Sequence, residues 1–175
     1  MRLPLLALVA LSGGLAHAQT LTTERSQVLR TGAKEVVLPG VPENPLTSLS
    51  LPGGLTVNFS IPLTRQDVPT GWSFWQKGLN PKILESPDGV AVTLTFSKPL
   101  SAFGVELMPV WKKGRKMQME IISPKGIVLT QFVKIDPGAR FFGFTGGRVK
   151  SVKLSKLPFD AGSFGIGRML YRVAK

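Results

Sequence analysis

Apolar and polar residues alternate with a period of two along much of the chain, and this pattern predicts β-strands. The clearest run is residues 90–96, in which Val, Val, Leu and Phe alternate with Ala, Thr and Thr. Further strands are predicted at Lys34–Leu38, Leu49–Ile61, Phe103–Met108, Met117–Ile122, Ile127–Ile135, Phe141–Phe144, Val149–Leu154 and Phe164–Val173. No run of more than about two turns keeps a 3.6-residue apolar period. The chain is therefore predicted to be all-β.

Turn motifs separate the predicted strands at intervals of roughly 8–15 residues. Among them are Ser97-Lys98-Pro99, Pro124-Lys125-Gly126 and Gly146-Gly147. The 19 glycines and 14 prolines of the chain supply the many turns that closely spaced strands need. This spacing is typical of an antiparallel β-sandwich or jelly roll, which is the predicted fold.

The first 18 residues have the pattern of a secretory signal peptide and are predicted to be removed. Arg2 precedes the apolar run Leu3–Leu15, and Ala16-His17-Ala18 is a small-x-small cleavage motif before Gln19. The apolar run is too short for a permanent transmembrane helix, and no later run approaches the ~20 apolar residues required. We therefore expect a secreted, periplasmic or cell-surface protein without a transmembrane anchor.

Two regions are predicted after the signal peptide. Residues 19–48 are a polar arm followed by a proline-rich connection, with proline at positions 39, 42 and 45. Residues 49–175 are the β-sandwich domain. Within this domain, residues 62–89 are predicted to be a long irregular excursion, because seven prolines and glycines interrupt them.

The chemistry open to the chain is limited by the residue types that it lacks. The single histidine, His17, lies in the predicted signal peptide, and the chain has no cysteine. Residues 19–175 thus lack the side chain most used for proton transfer near neutral pH, the usual zinc ligands, and any thiol. The ten carboxylates form no motif that pairs an acid with a base. We expect no catalytic residue, no metal site and no cofactor.

Positive charge is concentrated in the second half of the chain. The net charge is +12 at pH 7. Six Lys and Arg oppose five acids between Gln19 and Pro87, whereas fifteen oppose five between Asp88 and Lys175. This asymmetry favours an acidic partner, although positive charge also keeps a secreted protein soluble. Export and the absence of a recognised motif argue against nucleic acid as that partner.

Three tryptophans and two basic groups are the candidate ligand-binding residues. The tryptophans are Trp72 and Trp75 in the long excursion and Trp111 before a charged turn. The basic groups are Lys112, Lys113, Arg115 and Lys116 in that turn, and Arg148, Lys150 and Lys153 on a predicted strand. Aromatic rings stack on sugar rings, and Lys and Arg bind carboxylate, phosphate or sulfate groups. The same aromatic rings are equally suited to covering the core, and the basic residues to a solvated turn and a protected strand edge.

Residues 89–171 carry a family resemblance. The run 89–105, with Phe96-Ser97-Lys98-Pro99 at its centre, is similar to a strand and turn of exported bacterial β-sandwich domains found in PEP-CTERM-type proteins. Segments 141–144, 149–154 and 164–166 resemble the same domains in order and spacing. The resemblance implies an extracytoplasmic β-sandwich of undefined function. Gly167-Arg168 stands where those domains carry an acidic pair, and residues 172–175 lack the sorting tail, so neither a cation site nor sorting is expected.

These patterns together predict a non-catalytic module that binds an acidic envelope component, either a polysaccharide or an anionic polymer. The alternative is a structural or accessory protein whose tryptophans and N-terminal arm dock on a partner protein. A less favoured alternative is a carbohydrate-active enzyme that works through carboxylates alone.

Overall fold

The computed structural model describes residues 19–36, 38, 45–68, 82–87, 90–109, 116–126, 128–134, 139–157 and 162–175. In these residues the elements are β1 Thr20–Thr22, α1 Arg25–Leu29, β2 Lys34–Glu35, β3 Pro45–Leu51, β4 Leu55–Asp67, β5 Lys82–Ser86, β6 Val92–Pro109, β7 Lys116–Ile122, β8 Val128–Lys134, β9 Arg140–Leu157 and β10 Phe164–Val173. The predicted all-β class is confirmed. Across the same ranges, no helix is long and apolar enough to cross a membrane.

The ten strands of the described part belong to one antiparallel hydrogen-bonded sheet. Its strand order is β2-β10-β5-β4-β6-β9-β7-β8, with β1 beside β9 and β3 beside β4. Because β10 also pairs with β6, the strands β4, β5, β10 and β6 form a closed circuit. The sheet therefore folds back on itself, and its two halves are the layers of the predicted antiparallel sandwich.

Three long strands pass from one layer to the other. Residues 94–96 of β6 pair with β4, whereas residues 100–109 pair with β10. β9 accompanies β6 through both parts, with register shifts on either side of Leu100. β4 likewise pairs with β6 through residues 57–59 and with β5 through residues 64–67. The two layers are thus joined by continuous backbone as well as by side-chain packing.

A large core of buried side chains fills the space between the layers. The first layer comprises β7, β8, residues 48–51 of β3 and the parts of β4, β6 and β9 that pair with them or with one another. The second comprises β1, β2, β5, β10 and the remaining parts. Buried side chains from both layers share one cluster, among them Val57 and Met119 from the first and Leu84 and Leu107 from the second. In β7 the buried residues alternate strictly, as expected for a strand with one face on the core.

β6 and β9 bend side by side in the middle of their paired length. They pair from Val92 with Leu154 to Leu107 with Arg140, and between these pairs β6 bends at residues 97–100 and β9 at residues 146–148. We call the part of the sandwich at these bends the bend end.

The short helix α1 packs on the outer face of the second layer. Its Val28 is fully buried against Ala102, Leu170 and Phe141. Glycine makes this approach possible, because a Cβ at Gly104 would lie 2.8 Å from Cε2 of Phe141, far inside ordinary van der Waals contact. In the predicted N-terminal arm, β1 pairs with β9 and β2 with β10.

Two predicted turns are bends inside strands. Ser97-Lys98-Pro99 and Gly146-Gly147 were expected to separate strands, but β6 and β9 continue through them. Each segment shifts the register without reversing the chain, which moves the strand from one layer to the other. By contrast, the predicted turn at Pro124-Lys125-Gly126 does separate β7 from β8, and β10 has the predicted bounds.

The predicted irregular excursion at residues 62–89 contains regular structure and was wrong in that respect. β4 continues to Asp67, and β5 occupies residues 82–86. β5 lacks alternation because both of its faces are covered: Leu84 faces the main core, and Ile83 packs with Val68 in a second cluster. The domain boundary placed after residue 48 falls inside β3.

Candidate functional site

Most of the sequence-predicted site residues lie outside the part of the chain that the structure describes. These are Trp72, Trp75, Trp111, Lys112, Lys113 and Arg115. Four of the predicted residues, Lys116, Arg148, Lys150 and Lys153, are described. Their positions decide which positive charges lie together.

Lys153 lies on the outer face of the first layer and is partly neutralised. Its Nζ is 3.1 Å from Oε2 of Glu120, which is the cross-strand neighbour on β7. The Lys153 side chain is 42% exposed, so this is a solvent-screened ion pair with a small effect on stability. Lys153 is thus paired with Glu120 on this outer face, and its role in ligand binding stays a prediction.

The structure separates Lys116 from Arg148. Lys116 pairs with Leu157 at the terminal end of β9, and Arg148 lies nine residues earlier on the same strand, at the bend end. Nine residues of extended strand span about 30 Å. Of the two basic groups predicted from the sequence, these two described members therefore lie far apart.

Arg148 lines a cleft of about 750 Å³ at the bend end. The cleft forms where β9, β6 and β10 run side by side: Thr145 pairs with Ala102, and Ala102 pairs with Arg172. The described lining residues are Thr31, Ser101, Thr145, Gly146, Gly147, Arg148, Arg172, Val173, Ala174 and Lys175. The site thus combines the end of α1, two strand bends and the chain that follows β10.

Three cations line this cleft. They are Arg148, Arg172 and Lys175, all exposed, and among the described lining residues none is Asp or Glu. Arg148 Nη1 donates a hydrogen bond to the carbonyl oxygen of Lys175 at 3.0 Å, which positions its guanidinium beside the cleft. Like charges collected in one concave surface raise the local concentration of anions.

Hydroxyl groups accompany the cations. Ser101 Oγ lies 3.4 Å from the carbonyl oxygen of Arg172 and 3.5 Å from that of Val173, which are the longest distances at which such a bond forms. Its hydroxyl is therefore weakly held and can turn to a ligand. Thr31 Oγ1 donates to the carbonyl oxygen of Val28 at 2.7 Å, which leaves its lone pairs as acceptors.

Glycine at the β9 bend shapes the wall of the cleft. Gly146 and Gly147 have φ values of +85° and +67°, a region that side chains with a Cβ rarely adopt. A Cβ at Gly147 would also lie 2.7 Å from Nε2 of Gln19. The bend that presents Arg148 therefore depends on these two glycines.

Sequence reasoning missed Arg172 and Lys175. Both stand in the last four residues, and no motif connects them to Arg148, which is 24 residues before Arg172 in the sequence. The pairing of β6 with both β9 and β10 brings them together. The excess of positive charge in the second half of the chain was the available signal, but it does not show which of the cations lie together.

Comparisons with known proteins give distant structural likenesses. No family model matches the chain, and no curated protein matches it by sequence. The enzymatically active domain of tailspike protein 4 of bacteriophage CBA120 is 13% identical with a TM-score of 0.35, over 70% of this chain and 20% of that one. CsCBM6-3 from Clostridium stercorarium, in complex with cellobiose, is 14% identical with a TM-score of 0.26, over 81% and 94%. The chain thus spans about a fifth of the tailspike domain that it matches.

Proposed function

We propose that this protein is a non-catalytic module that binds an acidic polysaccharide or anionic polymer of the cell envelope through the cleft at the bend end. The observation that carries the proposal is the meeting of Arg148, Arg172 and Lys175 around about 750 Å³ of concave surface. Guanidinium groups bind carboxylate, phosphate and sulfate oxygens in pairs, and Ser101 adds an adjustable hydroxyl.

The setting of the proposal is extracytoplasmic. It rests on the signal-peptide pattern of residues 1–18 and on the resemblance to exported β-sandwich domains. Trp72, Trp75 and Trp111 are proposed to add stacking contacts, and the turn Lys112–Lys116 a second cationic surface. These residues are tested separately from the cleft.

The test measures binding of residues 19–175 to isolated cell envelopes and to polygalacturonate, with uncharged dextran as the control polymer. At about 0.05 M salt we expect Arg148→Glu and Arg172→Glu each to weaken binding several-fold, because reversal replaces an attraction with a repulsion. Lys82→Glu is the matched control: it changes the net charge equally, but Lys82 is an exposed residue of β5 away from the cleft lining. Equal losses in all three variants would overturn the cleft assignment.

Salt dependence separates the contributions of charge and stacking. At about 0.5 M salt, screening removes most of a purely electrostatic affinity. Binding that survives there and is lost in Trp72→Ala or Trp111→Ala would assign a stacking role to those rings. Absence of binding even at low salt would overturn the envelope-polymer proposal, and release of reducing ends from the polymer would overturn its non-catalytic part.

A structural or accessory role is the second candidate, because Phe132 of β8 is 57% exposed. In the described part of the chain β8 pairs with β7 alone, so it is an edge strand that can accept a strand from a partner protein. Sedimentation velocity of the wild type and Phe132→Ser would decide this role. Concentration-dependent association that the substitution abolishes supports docking, and a monomer at all concentrations argues against self-docking.

A further inference from the structure

Arg65 is a permanent cation in the interior of the sandwich. It is 1% exposed and is the largest fully buried side chain of the described residues. In β4 the buried positions alternate through Leu63 and Arg65, so both side chains face inward. Arg65 pairs with Leu84 on the neighbouring strand, Leu84 pairs with Ile166 on the next, and Ile166 pairs with Leu107. These three leucine and isoleucine side chains are fully buried. An arginine therefore occupies a position that the other strands fill with aliphatic side chains.

In the described part of the chain, no ion pair joins the Arg65 guanidinium to a carboxylate on a neighbouring strand. Its Nε and Nη1 are buried and have no hydrogen-bond partner among those residues. Glu85 instead accepts a hydrogen bond from Ser163 Oγ, and Glu106 lies 3.8 Å from Nε of Arg168. Asp67, two residues further along β4, is exposed at the strand terminus.

We propose that Arg65 anchors a buried subsite for one oxyanion group, a carboxylate or a phosphate, distinct from the cleft at the bend end. Arginine keeps its proton under all ordinary conditions, so deprotonation cannot relieve its burial. An uncompensated buried charge strongly destabilises a fold, whereas an oxyanion matches the planar fork of donors. The subsite is remote from the cleft, because Ile166 precedes Arg172 by six residues of β10, which is about 20 Å.

The first test is thermal unfolding with inorganic phosphate and, separately, acetate as probes, at constant ionic strength made up with sodium chloride. At about 100 times its dissociation constant, a specific anion should raise the Tm of the wild type by roughly 5–10 °C. Arg65→Met, which keeps length and apolar volume but removes the charge, should show no such rise. Without added oxyanion, Arg65→Met should unfold at a higher temperature than the wild type, because it removes the uncompensated charge.

The cleft variant Arg148→Glu/Arg172→Glu separates this proposal from the proposed function. It should keep the full rise in Tm, since the two positively charged sites are apart. Loss of envelope binding in this variant with the rise in Tm retained would support both proposals. A rise in Tm in a wild-type protein that binds no envelope polymer would uphold the Arg65 subsite alone. A rise that is equal in the wild type and Arg65→Met, or an Arg65→Met protein that is less stable without oxyanion, would overturn the proposal.

A second measurement keeps the proposal falsifiable if Arg65→Met does not fold. The Nε–H resonance of Arg65, protected from water by burial, should shift in the NMR spectrum when phosphate or acetate is added, with Arg65→Lys used for assignment. Arg65→Lys keeps the charge but loses the fork, so its oxyanion affinity should fall about tenfold or more. An Nε–H resonance that does not move at saturating phosphate and acetate would overturn the proposal.

Discussion

The side-chain amide of Gln131 donates a hydrogen bond from Nε2 to the carbonyl oxygen of Thr22 at 3.0 Å, in a buried position. Gln131 lies on β8, at the edge of the first layer, and Thr22 lies on β1, which pairs with β9 in the second layer. The bond connects residues 109 positions apart in the sequence. It therefore joins β8 of the first layer to β1 of the second.

Gln131→Ala should destabilise the protein by about 1 kcal/mol, because it removes the buried hydrogen bond to the carbonyl group of Thr22. Urea unfolding gives the free energy of unfolding. Gln118→Ala on the adjacent strand β7 is the matched control, since Gln118 is half-buried and alternates with the core-facing methionines. Equal effects of the two substitutions would contradict a fastening role for Gln131.

Gly104→Ala should destabilise the protein by about 1–3 kcal/mol through overpacking, because the added methyl group meets the ring of Phe141. The cost should shrink in the double variant Gly104→Ala/Phe141→Leu, since the smaller side chain makes room. A double-mutant cycle measured by chemical denaturation gives this coupling. Additive effects would show that Phe141 does not limit the space at Gly104.

Burial raises the pKa of Tyr171 above its ordinary value of about 10. The phenol donates a hydrogen bond to the carbonyl oxygen of Pro52 at 2.9 Å. Because the unfolded chain loses this proton first, the Tyr171 contribution to stability is complete below pH 10 and declines as the pH rises further. Tyr171→Phe should show a smaller decline than the wild type above pH 10.

The chain has a single tyrosine, so tyrosinate absorbance reports Tyr171 alone. Its titration midpoint in the folded protein should lie above the midpoint in denaturant. Coincident midpoints would contradict the burial argument.

The ion pair between Lys153 and Glu120 offers a test of which cations bind. If the ligand is held in the cleft at the bend end, Glu120→Gln should leave the affinity for polygalacturonate within about twofold, since the pair is solvent-screened. If the outer face of the first layer binds, the freed Lys153 should increase the affinity several-fold at low salt. Binding at about 0.05 M salt distinguishes the two surfaces.

Local patterns predicted the regular strands and not the strands that change layers. β7 was predicted from its alternation of buried and half-buried residues, and β10 from its compact apolar run. Both patterns are local and can be seen in the sequence. The bends of β6 and β9 contain Pro99 and the pair Gly146-Gly147, which are the same residues that reverse a chain. Whether such a segment bends or reverses depends on the strands that pair on both sides of it, and a short window does not contain that information.

The candidate sites were harder to predict for a related reason. Arg148 was found as part of a basic group, but its companions Arg172 and Lys175 reach the same cleft only through the register of three strands. Arg65 was not singled out at all, because a charged residue in an alternating strand is predicted to face the solvent. In both cases long-range pairing, rather than local composition, decides the surroundings of the charge.

The pairing of the N-terminal strands sets an order of folding events. β1 bonds to residues 143–145 and β2 to residues 170–171, so both strands pair with residues more than 120 positions later in the sequence. Contacts this distant in sequence make folding slow, because the chain loses the entropy of closing a long loop before the contacts stabilise it. Until β9 and β10 have been synthesised, β1 and β2 therefore lack the strands with which they pair.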